Sequence, residues 1–187
     1  VLFEASTMFL RNLTDDVRPP ETGNALQVTE QSIGYTYGSQ ASGLIPGYTD
    51  HGRSSQSPFW LRGAASYVTG SHAFKVGLTT LSGVQASSGT VNNNGVTYQF
   101  NNQRPVGLTI WATPGWSESR VRMNLGVFAQ DQWTLNRLTL NLGVRWDHLD
   151  AYNPSQLRPG GIWVPPFAFD EQPCVPCWND ISPRLGA

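Results

Sequence analysis

The stretch from Met123 to Leu149, MNLGVFAQDQWTLNRLTLNLGVRWDHL, decides the fold, because its apolar residues recur at every second position on either side of a two-residue turn. In the second arm Leu138, Leu140, Leu142, Val144 and Trp146 share one side, and Thr139, Asn141, Gly143, Arg145 and Asp147 share the other. Side chains alternate between faces along a strand, and a helix would scramble this order. The first arm brings Met123, Leu125, Val127, Ala129, Trp133 and Leu135 together. A turn at Asn136-Arg137 sets Leu135 opposite Leu138, so both apolar rows meet on one side of a hairpin. The opposite side carries Asn124, Gln130, Gln132 and Thr134 against Thr139, Asn141, Arg145 and Asp147, polar enough to prefer water to a packed core. Strands of about ten residues with one apolar and one hydrated face are the pattern of a transmembrane β-barrel, lipid outside and aqueous lumen inside. An antiparallel sheet laid on a soluble core, its outer face in solvent, has the same pattern.

Composition bears on that choice. Charged residues are 13% of the 187-residue chain, against roughly 25% in a typical soluble domain, while seven tryptophans and six tyrosines are abundant for this length. A surface so poor in charge faces something other than water. The formal net charge of -1 and the scattered Lys and Arg residues argue against nucleic acid as a partner, since a phosphate-binding surface needs clustered cations. No run approaches the roughly 18 apolar residues of a membrane helix, and no charged segment leads into an apolar one as in a signal peptide. The opening VLFEASTMFL reads as a mature N-terminus or a cut.

Val1 to Leu10 is expected to be a strand, followed by a polar stretch from Arg11 to Ser57 in which Leu26 to Tyr37 can form a small strand pair. A connection beyond about 15 residues is usually functional or disordered. Phe59 to Thr69 and His72 to Leu81 form a second hairpin through Gly70-Ser71, a pair suited to a tight turn. Phe59, Leu61, Ala65 and Tyr67 share a face with Phe74, Val76 and Leu78, and Arg62, Ser66, Lys75 and Thr79 share the other. Tyr67 lies three positions before Gly70 and Trp133 three before Asn136, so each hairpin puts an aromatic at one height above its turn, as a membrane interface imposes. Between the hairpins the reading is a loop from Ser82 to Gly95, a strand from Val96 to Phe100, a turn from Asn101 to Pro105 and a strand from Val106 to Ala112. Counting directions along these strands puts both tight turns on one rim. The connections Arg11 to Ser57, Ser82 to Gly95, Thr113 to Ser119 and Asp150 to Asp180 fall on the opposite rim, the asymmetry of outer-membrane barrels. Asp131 alone breaks the scheme: it falls on the apolar face opposite Leu142 unless a bulge at Asp131-Gln132 turns it inward.

With GSHAFKVG at Gly70 to Gly77, FAQDQWTLNRLTLNLGVRWD at Phe128 to Asp147 and NDISPRLGA at Asn179 to Ala187, the chain resembles the barrel region of TonB-dependent outer-membrane receptors, in particular the Oar-like group, over Phe59 to Ala187. The resemblance implies an all-β fold: a segment of an antiparallel transmembrane β-barrel, about eight strands of a closed barrel of roughly 22, with long outer loops and with the plug domain and TonB box absent from this stretch. It divides the chain into a strand and outer loop over 1–57, strands and short turns over 58–149, an outer loop over 150–180 and the start of a further strand over 181–187. The partners implied are outer-membrane lipid, the plug and the TonB system, and a ligand of unknown identity at the outer loops, with the bacterial outer membrane as location. In that frame Arg62, Lys75, Gln130, Gln132, Asn141 and Arg145 are lumen-facing candidates. Tyr67, Phe74, Trp133, Leu140, Leu142, Val144 and Trp146 are lipid-facing or girdle candidates.

Cys174-Val175-Pro176-Cys177 is the sharpest local motif. A C-x-x-C can be a redox dithiol, half a zinc site or a structural disulfide. Zinc lacks partners, because no second C-x-x-C exists and His51, His72 and His148 are distant in sequence. A thioredoxin-like site needs a βαβ context, whereas Pro173 and Trp178 place these cysteines in a loop. A disulfide closing a surface loop in an oxidising compartment is therefore the preferred reading. Neither G-x-S-x-G nor H-E-x-x-H is present. Asp147-His148 with Asp150, Asp15-Asp16 and Asp50-His51 are read as solvated charges, and Asn92-Asn93-Asn94 as flexible loop. Tyr35, Tyr37, Tyr48, Trp163 and Phe167 are loop aromatics that meet a ligand or, as preferred for most, pack one loop on another.

The leading expectation is thus a receptor or transporter barrel with no catalytic residue, no cofactor and no metal. The alternatives are a self-contained eight-stranded barrel or adhesin and a secreted β-sandwich that binds carbohydrate.

Overall fold

The computed structural model describes residues 1–17, 20, 24–39, 51–91 and 95–186. The alternating stretches become long antiparallel strands that add side by side. β1 (Leu2–Phe9), β6 (Phe59–Thr69), β7 (His72–Gly89), β10 (Gly115–Leu135), β11 (Leu138–Tyr152) and β14 (Cys177–Gly186) lie in that order. β2 (Asn12–Val17) pairs with β5 (His51–Gln56), which also pairs with β7, completing an eight-stranded sheet. Both hairpins have the expected register, with Leu135 opposite Leu138 and Thr69 opposite His72. Gly70 (φ 55) and Asn136 (φ 53) take the left-handed conformation that short hairpin turns require.

The stretch between the hairpins is built differently from the sequence expectation. β7 does not end at Ser82; it continues to Gly89 and pairs directly with β10, which begins at Gly115 rather than after Ser119. β8 (Val96–Asn101) and β9 (Arg104–Ile110) are strands but not passes of the main sheet. They join β3 (Val28–Glu30) and β4 (Tyr35–Tyr37) in a second sheet of order β4-β3-β8-β9. Short alternating strands look alike whichever sheet they serve, and the long pairing of β7 with β10, from Gly89 opposite Gly115 to His72 opposite Trp133, decides the matter by satisfying more backbone groups. A hairpin inserted between two passes leaves their direction unchanged. The turns at Gly70-Ser71 and Asn136-Arg137 therefore remain on one rim and the long connections on the other. The last of those connections is also shorter than expected, since β11 runs to Tyr152 and β14 starts at Cys177. Within it lie β12 (Gln156–Arg158) and β13 (Phe167–Phe169).

A crease crosses the main sheet. β1 stops at Phe9 and β2 resumes at Asn12, β5 stops at Gln56 and β6 resumes at Phe59, and the pairing of β10 slips between Val121 and Asn124. Leu10 N bonds Pro58 O (3.1 Å) and Ser57 N bonds Val84 O (3.0 Å), so these breaks lie side by side. A Cβ on Gly83 would come within 2.9 Å of Pro58 Cα, which is why β7 passes the break on a glycine. Such irregularities bend a sheet and sharpen its twist. No slip occurs at Asp131, which pairs in register with Leu142 and Phe74 and stays on the apolar face.

Among the described residues the buried apolar side chains are Ala64, Ala86, Val91 and Ala151. The large ones are outside: Val144 is 48% exposed, Ile181 67% and Leu185 83%. A β-sandwich covers such a face with a second sheet about 10 Å away; among the described residues no sheet is stacked on either face of the main sheet. Nor does β1 pair with β14, as a self-contained eight-stranded barrel would require. Among the described residues no helix is long and apolar enough to cross a membrane. The fold is an open, antiparallel, two-faced sheet, a partial β-barrel.

Candidate functional site

The register sorts every second residue into rows that run across all six main strands. On the apolar face, Ala5, Gly63, Leu78, Val127, Trp146 and Ile181 make one row, and Phe3, Ala65, Val76, Ala129, Val144 and Pro183 the next. The polar face, between these, is charged. Ser6, Arg62, Thr79, Gly126, Asp147 and Asp180 form one of its rows, and Leu2, Ser66, Lys75, Gln130, Gly143 and Arg184 another. Every candidate named from sequence thus shares a face with its group: Arg62, Lys75, Gln130, Gln132, Asn141 and Arg145 on one side, Tyr67, Phe74, Trp133, Leu140, Leu142, Val144 and Trp146 on the other. Tyr67 and Trp133 fall on neighbouring rows rather than one, because the second hairpin extends beyond the first, with Trp133 beside His72. Stagger of this kind accompanies strand tilt in a barrel.

Ion pairs organise the polar face across strands. Lys75 Nζ donates to Glu4 Oε2 at 3.0 Å, tying β7 to β1 across β6. Arg145 Nε donates to both Asp147 oxygens, at 2.8 and 2.7 Å, reaching past the bare Cα of Gly126 on β10. The expected cluster of Asp147, His148 and Asp150 is dispersed. His148 Nδ1 meets Asn179 Oδ1 at 2.9 Å and Asp150 lies 3.6 Å from Arg122. Asp15, taken as a loop charge, sits on β2 and accepts from Arg53 Nε at 2.6 Å. Among the described residues no three His, Cys, Asp or Glu side chains are placed to hold a metal ion.

Sequence reasoning missed one row. Beyond Arg62 the polar face carries Met8, Trp60, Leu81, Asn124, Leu149 and Trp178, side by side on the six strands. A cleft of about 580 Å³ lies over this row and the charged one, lined by Met8, Trp60 and Leu81 together with Arg62, Asn124 and Arg145. A second, of about 400 Å³, is lined by Leu81, Val121, Leu149, Ala151, Val175 and Pro176. Leu81 belongs to both. The signal was in the alternation, since Trp60 shares parity with Arg62, and Leu149 with Asp147.

The second sheet, with the connections that carry it, is held by one buried carboxylate. Glu30, 7% exposed, accepts from the backbone N–H of Asn102 (2.9 Å), Gln103 (3.0 Å) and Ser32 (3.2 Å) and from the Ser32 hydroxyl. Asn102 and Gln103 are the two left-handed residues of the β8–β9 turn. The Ser32 hydroxyl bond, with the backbone donors, holds the Glu30 carboxyl below the usual carboxylate range against the opposing effect of burial. Ser32 is a local partner, but the turn that Glu30 clamps lies 72 and 73 residues further along the chain, where no sequence signal joins the two.

The outer aromatics divide. Tyr35 and Tyr37 stack at 6.4 Å and Phe167 meets Phe169 edge-on at 5.1 Å, while Trp163 stands 64% exposed. Tyr48, Asp50 and Asn92-Asn93-Asn94 lie outside the described residues. Cys174 and Cys177 have Cα atoms 4.7 Å apart, close enough for one bond. The segment between them is bound to β11: Val175 N donates to Ala151 O (2.6 Å) and Ala151 N to Pro176 O (3.1 Å).

A two-faced meander with short turns on one rim and long excursions on the other is the architecture of an outer-membrane barrel wall. Residues 7–187 match the family model for the TonB dependent receptor-like β-barrel, and the chain belongs to that family. The family comprises receptors and transporters of the bacterial outer membrane rather than enzymes. No curated protein and no solved structure matches the chain.

Proposed function

We propose that this chain is a section of the wall of an energised uptake receptor, with its apolar face against lipid and its polar face toward a water-filled lumen. The observation that carries the reading is the register: two rows of one face, from Ala5 to Ile181 and from Phe3 to Pro183, carry no polar side chain across six strands, while the rows that alternate with them hold Arg62, Lys75, Asp147, Arg145 and Arg184. In hydrocarbon every backbone group must be paired within the protein, which the closed form of such a sheet achieves. The polar face hydrates the lumen and offers hydrogen bonds to a plug, and TonB supplies the energy that moves the plug. The second sheet and the connection over 153–176, both on the rim opposite the tight turns, meet the ligand from outside the cell. Placement in the Oar-like group rests on the Gly70, Phe128 and Asn179 motifs. A disulfide between Cys174 and Cys177 closes the outer loop.

Spin labels test the sidedness. In lipid vesicles a label at Leu142 should be relaxed by oxygen and one at Asn141 by a water-soluble paramagnet. The reverse result would remove the membrane assignment.

A further inference from the structure

Above the charged rows the polar face changes character. Met8, Trp60, Leu81, Leu149 and Trp178 occupy five positions of a six-residue row whose remaining member is Asn124. The neighbouring row on the opposite face, Thr7, Leu61, Thr80, Leu125, His148 and Asn179, is mostly polar, so at this height the apolar side chains are concentrated on the face of the charged rows. Met8 is 56% exposed and Trp178 43%, so the row offers apolar surface that its own strands leave uncovered. The two clefts that meet at Leu81, about 580 and 400 Å³, each fall within the range of small-molecule sites, about 300–1,000 Å³. Lining the larger cleft, Arg62 stands in the row next to the apolar one and Arg145 one row further toward the tight turns. Arg145 is engaged by Asp147, and Glu4, the carboxylate near Arg62, is bonded to Lys75. Taken over the four rows from Leu2 to Met8, the cations Arg62, Lys75, Arg145 and Arg184 exceed the anions Glu4, Asp147 and Asp180 by one. The cleft therefore has an apolar wall and a cationic floor, on a face whose four rows hold one more cation than anion.

Resting on the lumen reading above, we infer that this cleft is a binding site for an amphipathic anion: an aromatic or other compact apolar body against Trp60, Leu81 and Met8, with a carboxylate or comparable anionic group at Arg62. Arginine suits that role because its planar fork binds a carboxylate by two parallel hydrogen bonds. Position supports it as well. The cleft lies on the side of the charged rows away from the tight turns, so a ligand released by the outer loops reaches it before the deeper ion pairs.

The test uses the complete barrel that contains these residues, held in lipid nanodiscs, with 1-naphthoate as the probe and empty nanodiscs as the blank. Equilibrium dialysis should show saturable binding of 1-naphthoate and little binding of 1-naphthylmethylammonium. Arg62→Gln should weaken 1-naphthoate by about fivefold, as expected for a partly hydrated charge pair, and leave neutral 1-naphthylmethanol unchanged. Leu81→Asn should weaken both. Non-saturable uptake, equal binding of the ammonium analogue, or an Arg62→Gln variant of unchanged affinity would overturn the inference. So would a photo-crosslinker at Leu81 that captured only another segment of the receptor, which would make the row a seat for the plug. The same nanodiscs, spin-labelled at Leu142, separate this failure from that of the barrel reading: lipid contact without naphthoate binding removes the cleft alone, and water contact removes both.

Discussion

His72 Nδ1 lies 2.6 Å from Asp131 Oδ2 on the apolar face of the sheet, and the imidazole is stacked between Phe74 (5.3 Å) and Trp133 (5.2 Å). Asp131 is thus a carboxylate held on the apolar face beside a partner on the neighbouring strand rather than turned to the other face by a bulge. Its other oxygen, Oδ1, is buried with no protein partner, so His72 is its principal support. His72→Ala should destabilise the barrel by about 2 kcal/mol, the cost of leaving a sequestered carboxylate without its hydrogen bond near a membrane interface. Asp131→Asn, which keeps an acceptor, should cost less. Urea unfolding from lipid vesicles reads both, and a neutral His72→Ala would show that the pair carries no load.

Glu30 makes the outer cap sensitive to acid. Its carboxyl sits below the ordinary carboxylate range in the folded chain because the Ser32 hydroxyl and three backbone donors favour the charged form. A depressed folded value means that the group stabilises the cap fully above its unfolded pKa, about 4.3, and that the contribution is lost as pH falls through the folded value. Hydrogen exchange at Asn102 and Gln103 should therefore be slow at neutral pH and several-fold faster in acid. Glu30→Gln should make that exchange fast at both pH values. An exchange rate indifferent to both changes would sink the clamp.

The cysteines should leave the sheet alone. A bond between Cys174 and Cys177 closes a ring too short to remove much chain entropy, and the segment is already held by Ala151 through two backbone hydrogen bonds. Cys174→Ser is expected to speed proteolysis within 153–176 and to shift the unfolding midpoint of the barrel by little. Mass spectrometry under non-reducing conditions should find the pair oxidised; two free thiols would refute the bond.

Alone in water, the 187-residue chain should associate or require detergent. Its sheet ends on β1 and β14, whose outer backbone groups are unpaired, and Val144, Ile181 and Leu185 have no layer over them. Sedimentation should show large species that dissolve on adding detergent. A monodisperse, detergent-free monomer with cooperative unfolding would contradict the partial-barrel reading.

How much of this was legible follows from distance along the chain. The hairpins at Gly70 and Asn136 were readable because each pairs residues close in sequence, and period-2 alternation leaves one register that gathers the apolar rows on one face. The pairing of β7 with β10 was not, because 25 residues separate Gly89 from Gly115 and enclose a hairpin with the same alternation. His72 and Asp131, 59 residues apart, and Glu30 with Asn102, 72 apart, carry no local mark at all. Trp60 and Leu149 fail for another reason. Their parity was plain, but an apolar residue on a polar face reads as noise until register sets five of them in one row.

The crease from Leu10 through Ser57-Pro58 to Val121 has a consequence for how such a wall can vary. Below it, each strand is tied to its neighbours residue by residue, and a single insertion would flip a whole face. At the crease that bookkeeping is already interrupted, since β1 and β2, and β5 and β6, are separated by residues outside the regular ladder. A change of length between β1 and β6 can be absorbed at those two breaks, whereas β7 and β10 run through the crease as continuous strands. The crease is a splice line for that segment: the strands toward the tight turns are tied residue by residue, and the β2 and β5 portion beyond it can change without shifting them.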